Sequence, residues 1–432
     1  MQLVILIHGM WGKAGDFNYI VNELEQVGYI TYDHAISGTS ESSASESPAG
    51  IVYCTRSNEG YFTYDGIDVC GLRIANEISH VVRQLQTQDW KLSELSIVGY
   101  SMGGLMARYA IGLLYTRGIF DEITPRALVT TCSPHIGVNV LGKSKGARIF
   151  NFIGSWSMAR TSRQAFLRDT DQPHQLPLFM YLTQKNTSCT KALSLFGRRV
   201  LYANVFNDHR CEFYTAAAET TDFYKNQDLR LLSGPFVPGY EPIVLHGGPT
   251  PTYKQPSDIE DAAECAPLSG FRSVGHWLLH NWLGHRIYRF FRILKLITKL
   301  GVVLPLWFLA FLINVGYQHT ASSLRIRSTL RSRAHVHHDD SPEMLETSAE
   351  YLVEDAYRTV QDESEMTPSA IPVTPLMSRT IDQFNALGWE KYFLRIVDAS
   401  KAHSAAIMKS PKRKDFYEGK TAVKHLVNVL TS

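Results

Sequence analysis

The sequence predicts an α/β fold in which a mostly parallel β-sheet carries helices on both of its faces. Short apolar runs rich in β-branched residues alternate with longer stretches in which apolar residues recur at helical spacing. Several of these runs end at glycine, serine or asparagine, as strands do where they reach the edge of a sheet. Apolar side chains make up 44% of the 432 residues, which is enough to bury a large core and excludes wholesale disorder.

In the first part of the chain, the apolar pattern predicts two units in which a strand is followed by a helix. Residues 3–7 form an apolar strand, and residues 16–28 have helical spacing and stop at a glycine. A stretch rich in serine, glycine and alanine predicts a loop over 37–50, and a helix is predicted over 67–86. Residues 95–98 predict a strand that leads without a gap into another long amphipathic helix.

Three more strands and a closing helix are predicted further along the chain. The strands lie at residues 127–131, 200–205 and 392–397, and the amphipathic helix covers residues 418–430. Strands that alternate with helices favour a single parallel sheet. We therefore assign the last strand and helix to the same core as the first strands.

Composition and charge exclude several classes of function. The 43 basic and 41 acidic residues leave a net charge of +2, which argues against a nucleic-acid partner because such binding needs a basic surface. The six cysteines form no C-x-x-C pair, so no structural metal site is predicted, and no cofactor is required. The N-terminus has only five apolar residues in a row and no basic stretch, so it predicts a buried strand rather than a signal peptide.

A nucleophile motif follows the strand at 95–98. Residues 99–103 read Gly-Tyr-Ser-Met-Gly and fit the pattern G-x-S-x-G. A hydrophobic strand precedes the motif and a long helix follows it, which is the strand–turn–helix context that this motif requires. Gly99 and Gly103 allow a turn tight enough to expose the hydroxyl of Ser101. The alternative is a glycine-rich turn without chemistry, and the context favours a catalytic serine.

The end of the first strand predicts an oxyanion hole. Residues 8–12 read His-Gly-Met-Trp-Gly, and in this architecture such a loop places a backbone N–H over the nucleophile. We assign the two donors to the N–H groups of Met10 and Met102, with Gly9 as the loop glycine. His8 is expected to be structural, because the catalytic base of such enzymes comes last in the chain. The alternative is a glycine-rich strand exit with no role in catalysis.

The catalytic acid is expected between the serine and the base in chain order. Asp208 follows the strand that ends at residue 205, and the carboxyl end of a parallel strand faces the ligand crevice. Asp222 and Asp398 remain open as rivals, and Asp208 could instead cap an Asx turn. We choose Asp208.

For the base, His403 follows the strand at 392–397 after a short loop. A neutral imidazole there could take the proton of the serine, while the carboxylate fixes its tautomer. His425 inside the closing helix is the rival. His135 precedes the acid in the sequence, and His209 is adjacent to Asp208 and so is poorly placed to pair with it.

These motifs together resemble the serine esterases and lipases with an α/β-hydrolase domain, and most closely the fungal lipid-droplet phospholipases. The resemblance is carried by residues 8–12, 64–67, 99–105, 133–137, 204–208 and 402–407, with Glu418, Gly419 and His425. It implies an α/β-hydrolase fold and a serine hydrolase that acts on glycerophospholipids. It also implies a triad of Ser101, Asp208 and His403, and residence on lipid droplets.

The charge pattern predicts an insertion within this hydrolase core. Residues 266–338 contain ten basic residues and no acidic one, whereas residues 339–365 contain ten acidic residues. We therefore divide the chain into four parts. These are a core with nucleophile, oxyanion loop and acid (1–262), a basic and apolar insertion (263–338), an acidic, proline-containing linker (339–380), and the last strand, histidine loop and closing helix (381–432).

The insertion is expected to associate with a membrane or lipid-droplet surface without crossing it. Residues 300–317 carry no charge, which is the threshold length for a transmembrane helix. One crossing would separate the predicted serine and acid from the predicted base, so we expect a monotopic or re-entrant element with a bend at Pro305. The residues expected at the lipid surface are Trp277, Arg289, Arg292, Trp307 and Phe308. A buried helix or a lid is the alternative.

The sequence thus predicts a serine lipid hydrolase, with a phospholipase favoured. A monoacylglycerol or neutral-lipid lipase and a protein thioesterase are the enzymatic alternatives, and a lipid-droplet scaffold that keeps a hydrolase fold without turnover is the alternative that is not an enzyme. The expected location is the cytosolic face of lipid droplets, with the endoplasmic reticulum membrane as the other candidate. The oligomeric state is left open.

Overall fold

Ten β-strands lie in the part of the chain that a computed structural model describes, which comprises residues 1–37, 47–139, 141, 145–169, 176–225, 231–248, 250–253, 304–336 and 371–432. The strands are β1 (Gln2–Ile7), β2 (Tyr29–Thr31), β3 (Gly50–Cys54), β4 (Glu94–Tyr100), β5 (Thr124–Thr131), β6 (Arg198–Asn204), β7 (Leu232–Gly234), β8 (Val244–His246), β9 (Thr252–Tyr253) and β10 (Glu390–Leu394).

Eight of these strands form one sheet in the order β2-β3-β1-β4-β5-β6-β10-β8. Neighbours are parallel except for the pair of β10 and β8 at one edge, so the predicted mostly parallel sheet is confirmed. Although β10 comes almost two hundred residues after β6 in the chain, it pairs with it in parallel, with Glu390 opposite Val200. β7 and β9 form a separate two-stranded sheet.

The described residues also contain α-helices on both faces of the sheet. They are α1 (Asn18–Gln26), α2 (Tyr32–Ser37), α3 (Ile67–Thr87), α4 (Met102–Thr116), α5 (Ile119–Glu122), α6 (Lys145–Ser157), α7 (Ala159–Ala165), α8 (Leu178–Tyr181), α9 (Ser188–Leu195), α10 (Phe213–Ala217), α11 (Leu304–Val336), α12 (Pro375–Asn385), α13 (Ala402–Ala405) and α14 (Glu418–Thr431). Short 3₁₀ turns cover Ala14–Phe17, Gly60–Tyr64 and Lys414–Phe416.

Two hydrophobic cores lie on opposite faces of the sheet. In β1, Leu3, Ile5 and Ile7 belong to the core that α3 and α4 cover, whereas Val4 and Leu6 belong to the core that α1 and α14 cover. All six residues of β1 are buried, as expected for a central parallel strand whose side chains alternate between two covered faces. This sandwich leaves the carboxyl ends of the strands free to carry loops with functional side chains.

Some short elements differ from the sequence-based expectations. Most of the predicted loop over 37–50 lies outside the described residues, but its last residue begins β3, which we did not predict. The predicted linker over 339–380 was wrong at its end, because α12 begins at Pro375 and buries Met377 and Phe384 against the core. Such short segments carry too few turns of periodicity to be recognised before their partners are known.

The predicted insertion is described only in its second half, as α11. Trp277, Arg289 and Arg292 lie outside the described residues, while Trp307 and Phe308 belong to α11. Pro305 lies in the first turn of this helix, where a missing N–H is tolerated, rather than at a bend inside it. No helix among the described residues has the length and apolar composition that crossing a membrane requires.

Candidate active site

Ser101 lies in a strained turn between β4 and α4. Its backbone angles are φ 55° and ψ −128°, a region that non-glycine residues rarely adopt. The N–H of Ser101 donates to the carbonyl of Thr131, 2.8 Å away, which anchors the turn to β5. This is the sharp strand-to-helix turn that exposes a nucleophilic hydroxyl at the edge of an α/β sheet.

The two glycines of the motif, Gly99 and Gly103, allow the turn to pack closely against the neighbouring backbone. A Cβ atom on Gly103 would overlap the carbonyl oxygen of Ile7 in β1, and one on Gly99 would overlap the backbone of Gly104. Any side chain at either position would therefore push the strand and helix apart. The spacing of the motif follows from close packing as much as from chemistry.

The structure brings Ser101, His403 and Asp208 together in one hydrogen-bonded chain. Nε2 of His403 lies 2.9 Å from Oγ of Ser101, and Nδ1 of His403 lies 2.9 Å from Oδ2 of Asp208. Asp208 follows β6, and His403 lies in α13, after the loop that follows β10, so the pairing of these two strands sets the contact. With Nδ1 protonated, Nε2 is free to accept the proton of the serine hydroxyl.

The carboxylate of Asp208 is buried and fully hydrogen-bonded. Burial by itself would raise the pKa of Asp208, but the adjacent His403 imidazole and the donated hydrogen bonds hold that pKa below its ordinary value. The side-chain amide of Asn204 donates to Oδ2 at 2.9 Å, and the N–H of Cys211 donates to Oδ1 at 3.0 Å. The carboxylate therefore stays ionised and can stabilise an imidazolium on His403.

The two predicted oxyanion donors flank Ser101. The loop after β1 is closed by a hydrogen bond of 3.0 Å from the N–H of Gly12 to the carbonyl of Gly9, and Met10 lies inside this turn. Met102 is the first residue of α4, where backbone N–H groups lack intrahelical acceptors. A Cβ on Gly9 would lie 2.7 Å from Cβ of Ser101, so glycine is required there.

Ser101 opens into a cavity of about 320 Å³. Met10, Met102 and His403 line it beside Ser101, so the predicted donors and base face the same space. Both apolar and polar side chains line the cavity. The apolar ones include Val138, Met158, Ala165 and Phe166, and the polar or charged ones include His209, Arg210, Glu212 and Lys409. A cavity with both kinds of lining can take an acyl chain together with a polar group.

The rival acids have other partners. Oδ1 of Asp222 accepts the N–H groups of Tyr224 and Lys225 in its own turn, at 2.9 and 3.1 Å. The backbone N–H of Asp398 donates to Oε2 of Glu418 at 2.9 Å. Asp208 is therefore the carboxylate that approaches the base.

The rival bases are also placed elsewhere. Nδ1 of His425 is 2.7 Å from the hydroxyl of Tyr202, and burial lowers the pKa of His425 to about 4. His135 is buried against Phe384 with its Nε2 3.1 Å from Oγ1 of Thr130, and burial holds its pKa well below the ordinary value. His209 is exposed at the rim of the cavity. His8 is buried, with its pKa lowered by burial, and contacts the carbonyl of Gly9.

Three positioning residues were not identified from sequence. The hydroxyl of Tyr100 donates to the carbonyl of His403 at 3.1 Å, and Oε2 of Glu418 accepts the N–H groups of Val397 and Asp398 at 2.7 and 2.9 Å. Asn204, described above, holds the acid. All three residues lie among those that carry the family resemblance, and Asn204 and Tyr100 also stand near motif residues, but neither signal indicated what their side chains contact.

Cys132 lies beside Asp208 and His403, and all three side chains are of types that can bind a metal ion. The sulfur of Cys132 and ligand atoms of Asp208 and His403 lie within 4.8 Å of one another. The imidazole and carboxylate are already paired with each other, and the amide of Asn204 contacts the sulfur at 3.3 Å. The hydrogen bonds among these groups suit a triad, and burial and the Asp208 carboxylate raise the pKa of the Cys132 thiol, which opposes the thiolate that a metal needs.

The fold and this site define an α/β hydrolase of the serine-esterase type. The chain belongs to the family described as "Putative serine esterase (DUF676)", whose sequence model matches residues 1–221, a little over half of the chain.

Curated relatives of the chain include yeast proteins named as lipases. A "Putative lipase" of Schizosaccharomyces pombe is 26% identical over 243 residues, which cover 52% of this chain and 27% of the relative. A "Putative lipase" of Saccharomyces cerevisiae is 25% identical over 279 residues, which cover 62% of this chain and 38% of the relative. The chain thus spans well under half the length of either.

Solved structures similar to part of the chain include a lipase and a phospholipase. Lipase B of Aspergillus fumigatus is 14% identical with a TM-score of 0.23, covering 36% of this chain and 35% of that one. Phospholipase PlaB of Legionella pneumophila is 13% identical with a TM-score of 0.28, covering 52% and 44%.

Proposed function

We propose that the protein is a phospholipase that releases fatty acid from glycerophospholipids at a lipid surface, through an acyl-enzyme on Ser101. The observation that carries this proposal is the continuous chain of hydrogen bonds from Asp208 through His403 to Ser101, which opens into a cavity lined in part by apolar side chains. The motifs resemble those of fungal phospholipases, which supports a glycerophospholipid as the substrate.

The proposed reaction has two stages. Nε2 of His403 takes the proton of the Ser101 hydroxyl as Oγ attacks the ester carbonyl, and the N–H groups of Met10 and Met102 receive the oxyanion. Collapse of the tetrahedral intermediate expels the lysophospholipid alcohol, which takes the proton from His403 and leaves the acyl group on Oγ. Water then repeats the sequence, so that fatty acid leaves and Ser101 regains its proton.

Basic side chains that line the cavity favour a phospholipid over a neutral glyceride. Arg210 is exposed and lines the cavity with His209 and Lys409, and Nζ of Lys409 forms an ion pair of 2.7 Å with Oδ2 of Asp16. A guanidinium binds phosphate well, whereas a neutral glyceride offers it no charge. The carboxylate of Glu212, which also lines the cavity, suits the cationic group of a zwitterionic headgroup.

Exposed apolar side chains support association with a lipid layer. Two helices present them: Ile149, Phe152, Ile153 and Trp156 on α6, and Leu306, Leu309, Leu312, Ile313 and Tyr317 on α11. The two groups meet where Nε2 of His319 lies 2.9 Å from the carbonyl of Trp156. Apolar clusters of this kind mark lipid or protein contact sites. We propose the cytosolic face of lipid droplets as the location, with the endoplasmic reticulum as the alternative.

The test of substrate class is lipid hydrolysis by the full chain on mixed phospholipid and glyceride droplets. We expect lysophospholipid and free fatty acid from the wild type and none from Ser101→Ala. Ser194→Ala, a change of an exposed serine on α9, is the matched control and should retain full activity. Serine-dependent fatty acid from glycerides alone would move the protein to the neutral-lipid lipases. The absence of any serine-dependent lipid product would favour a thioesterase or a lipid-droplet scaffold without turnover.

The test of the surface is flotation with phospholipid-coated oil droplets. Ile313, 65% exposed on α11, is changed to glutamate together with Ile153 on α6. We expect most of the droplet binding to be lost, because two buried charges oppose contact with acyl chains. Leu330→Glu, at the far end of α11 and also exposed, should bind as the wild type does. Unchanged binding of the Ile153/Ile313 variant would show that this surface does not contact the lipid.

A further inference from the structure

We propose that α11 holds the oxyanion loop in place, through Asp65 and the 3₁₀ turn Gly60–Tyr64, and that Arg325 and Asp65 are positioning residues for catalysis. This inference rests on the proposed acyl-enzyme chemistry at Ser101, but not on the identity of the lipid. It would make the helix with the exposed apolar face part of the support of the active site.

The first step is a buried charge cluster that docks α11 onto the hydrolase core. The side chain of Asp65 is fully buried, and Arg325 of α11 donates to both of its oxygens, at 2.7 Å from Nη2 and 3.0 Å from Nε. Arg73 of α3 donates to the same carboxylate at 2.7 Å. A bidentate guanidinium–carboxylate pair fixes orientation as well as distance, and a buried one is costly to break.

The second step is the turn that precedes Asp65. Nη2 of Arg325 also donates to the carbonyl of Tyr61, at 3.1 Å, and the guanidinium lies over the ring of Phe62, 5.2 Å from its centroid. Ser322, one helical turn earlier on α11, is buried and contacts the carbonyl of Tyr64. The helix therefore contacts this 3₁₀ turn along its length rather than at one atom.

The third step joins the turn to the oxyanion loop. The indole N–H of Trp11 donates to the hydroxyl of Tyr64 at 3.0 Å, and the backbone N–H of Trp11 donates to Oγ1 of Thr63 at 3.3 Å. The N–H of Gly60 donates to the carbonyl of Gly12 at 3.1 Å. Three hydrogen bonds thus tie the turn to the residues that follow the proposed donor Met10.

Trp11 itself shows that this loop needs external support. Its φ is +53°, a left-handed conformation that is costly for a bulky residue and persists only where the surroundings impose it. Its side chain is half exposed, so burial contributes little to holding it. Because Met10 is adjacent in the chain, any relaxation of Trp11 would turn the Met10 N–H away from the oxyanion.

The experiment measures oxyanion stabilisation with a soluble substrate, so that lipid binding does not enter. The full chain and its variants Arg325→Leu, Arg325→Lys and Arg327→Leu are assayed with p-nitrophenyl butyrate for kcat and KM. The Ki of a soluble alkyl trifluoromethyl ketone, which forms a tetrahedral oxyanion on a serine, is measured in parallel. Arg327 is exposed on the same helix and is the matched control.

We expect Arg325→Leu to lower kcat by about 10–100-fold with KM changed less than about 3-fold, since one oxyanion donor contributes about 10²–10³-fold. The Ki of the ketone should rise by a similar factor. Arg325→Lys should recover part of the loss, and Arg327→Leu should match the wild type. An unchanged kcat and Ki with a lowered melting temperature would overturn the proposal, because the cluster would then serve stability alone.

A second variant keeps the test decisive if Arg325→Leu does not fold. Tyr64→Phe removes only the hydroxyl that accepts the indole N–H of Trp11. It should lower kcat and raise the Ki of the ketone by similar factors, with the melting temperature nearly unchanged. Normal kinetics of the Tyr64→Phe variant would contradict the proposed support of the oxyanion loop by the 3₁₀ turn. Ser101-dependent ester hydrolysis without activity on phospholipid would refute the proposed function and leave this test intact.

Discussion

Nε2 of His403 lies 2.9 Å from Oγ of Ser101, although 302 residues separate the two in the chain. Between them the chain completes β5 and β6, passes through the segment that ends in α11, and returns to the sheet as β10. The parallel pairing of β6 and β10 sets the loop of the acid beside the loop of the base. The site therefore depends on the pairing of β10 with β6 in the same sheet.

Asp208→Asn should lower kcat by about 10⁴-fold with little change in KM, as measured by steady-state hydrolysis of a soluble ester. An amide at this position can donate to Nδ1 and so selects the tautomer in which Nε2 cannot take the serine proton. Asp222→Asn is the matched control and should keep normal kinetics, because that carboxylate serves its own turn. Equal losses in the two variants would contradict the assignment of the acid.

His403→Ala should lower kcat by about 10³–10⁶-fold, while the melting temperature stays within a few degrees of the wild type. His425→Phe should show the reverse pattern. Its imidazole contacts the Tyr202 hydroxyl in a buried site, so its loss should cost about 1–3 kcal/mol of stability with kcat unchanged. Esterase kinetics and thermal unfolding of both variants distinguish the base from its rival, and a large kcat loss in His425→Phe would reverse the assignment.

Gly103→Ala should destabilise the fold by several kcal/mol and abolish esterase activity. The added Cβ would overlap the carbonyl oxygen of Ile7, and both β1 and α4 are too closely packed to move freely. Gly316→Ala on α11 is the comparison, because a Cβ there meets nothing within 4 Å, and it should stabilise the helix by about 1 kcal/mol. Chemical denaturation measures both, and a Gly103→Ala protein of normal stability would show that the elbow is looser than described.

Asp169 should make the stability of the protein depend on pH between about 4 and about 6. Burial raises the pKa of Asp169 to about 6, and its Oδ1 is buried without a donor among the described residues, while Oδ2 accepts the N–H of Leu178 at 2.9 Å. Because the folded state binds the proton more tightly than the unfolded state, the free energy of unfolding should fall as the pH rises through this window.

Asp169→Asn should remove this dependence. The amide can still accept from Leu178, and the variant should be roughly 1–3 kcal/mol more stable than the wild type at pH 8, with the difference vanishing below about pH 4. Denaturant unfolding at several pH values measures it. Glu25→Gln, at an exposed position of α1, should leave the pH profile unchanged. A variant that is less stable at pH 8 would show that the carboxylate has a donor after all.

Local patterns were sufficient for the nucleophile and for the central sheet. The elbow needs only a strand, a tight turn and a helix that are adjacent in the chain, so the spacing of Gly99, Ser101 and Gly103 predicted it. Chain order and strand ends narrowed the acid to Asp208 and two rivals, and the base to His403 and its rivals. The strand, turn and helix of the elbow could be predicted because that pattern involves residues within a few positions of one another, whereas chain order alone left rivals for the acid and the base.

The sequence by itself thus determined the α/β class, the two-faced burial of the central strands and the serine at the elbow, since these follow from periodicity and short spacing. Only the tertiary structure decided which carboxylate approaches His403, that Asn204 and Glu418 hold the acid and the base loop, and that Arg325 docks α11 on Asp65. Those contacts join residues that are distant in sequence or fixed by the pairing of separate strands. No local pattern encodes them, because their geometry exists only after the sheet has assembled.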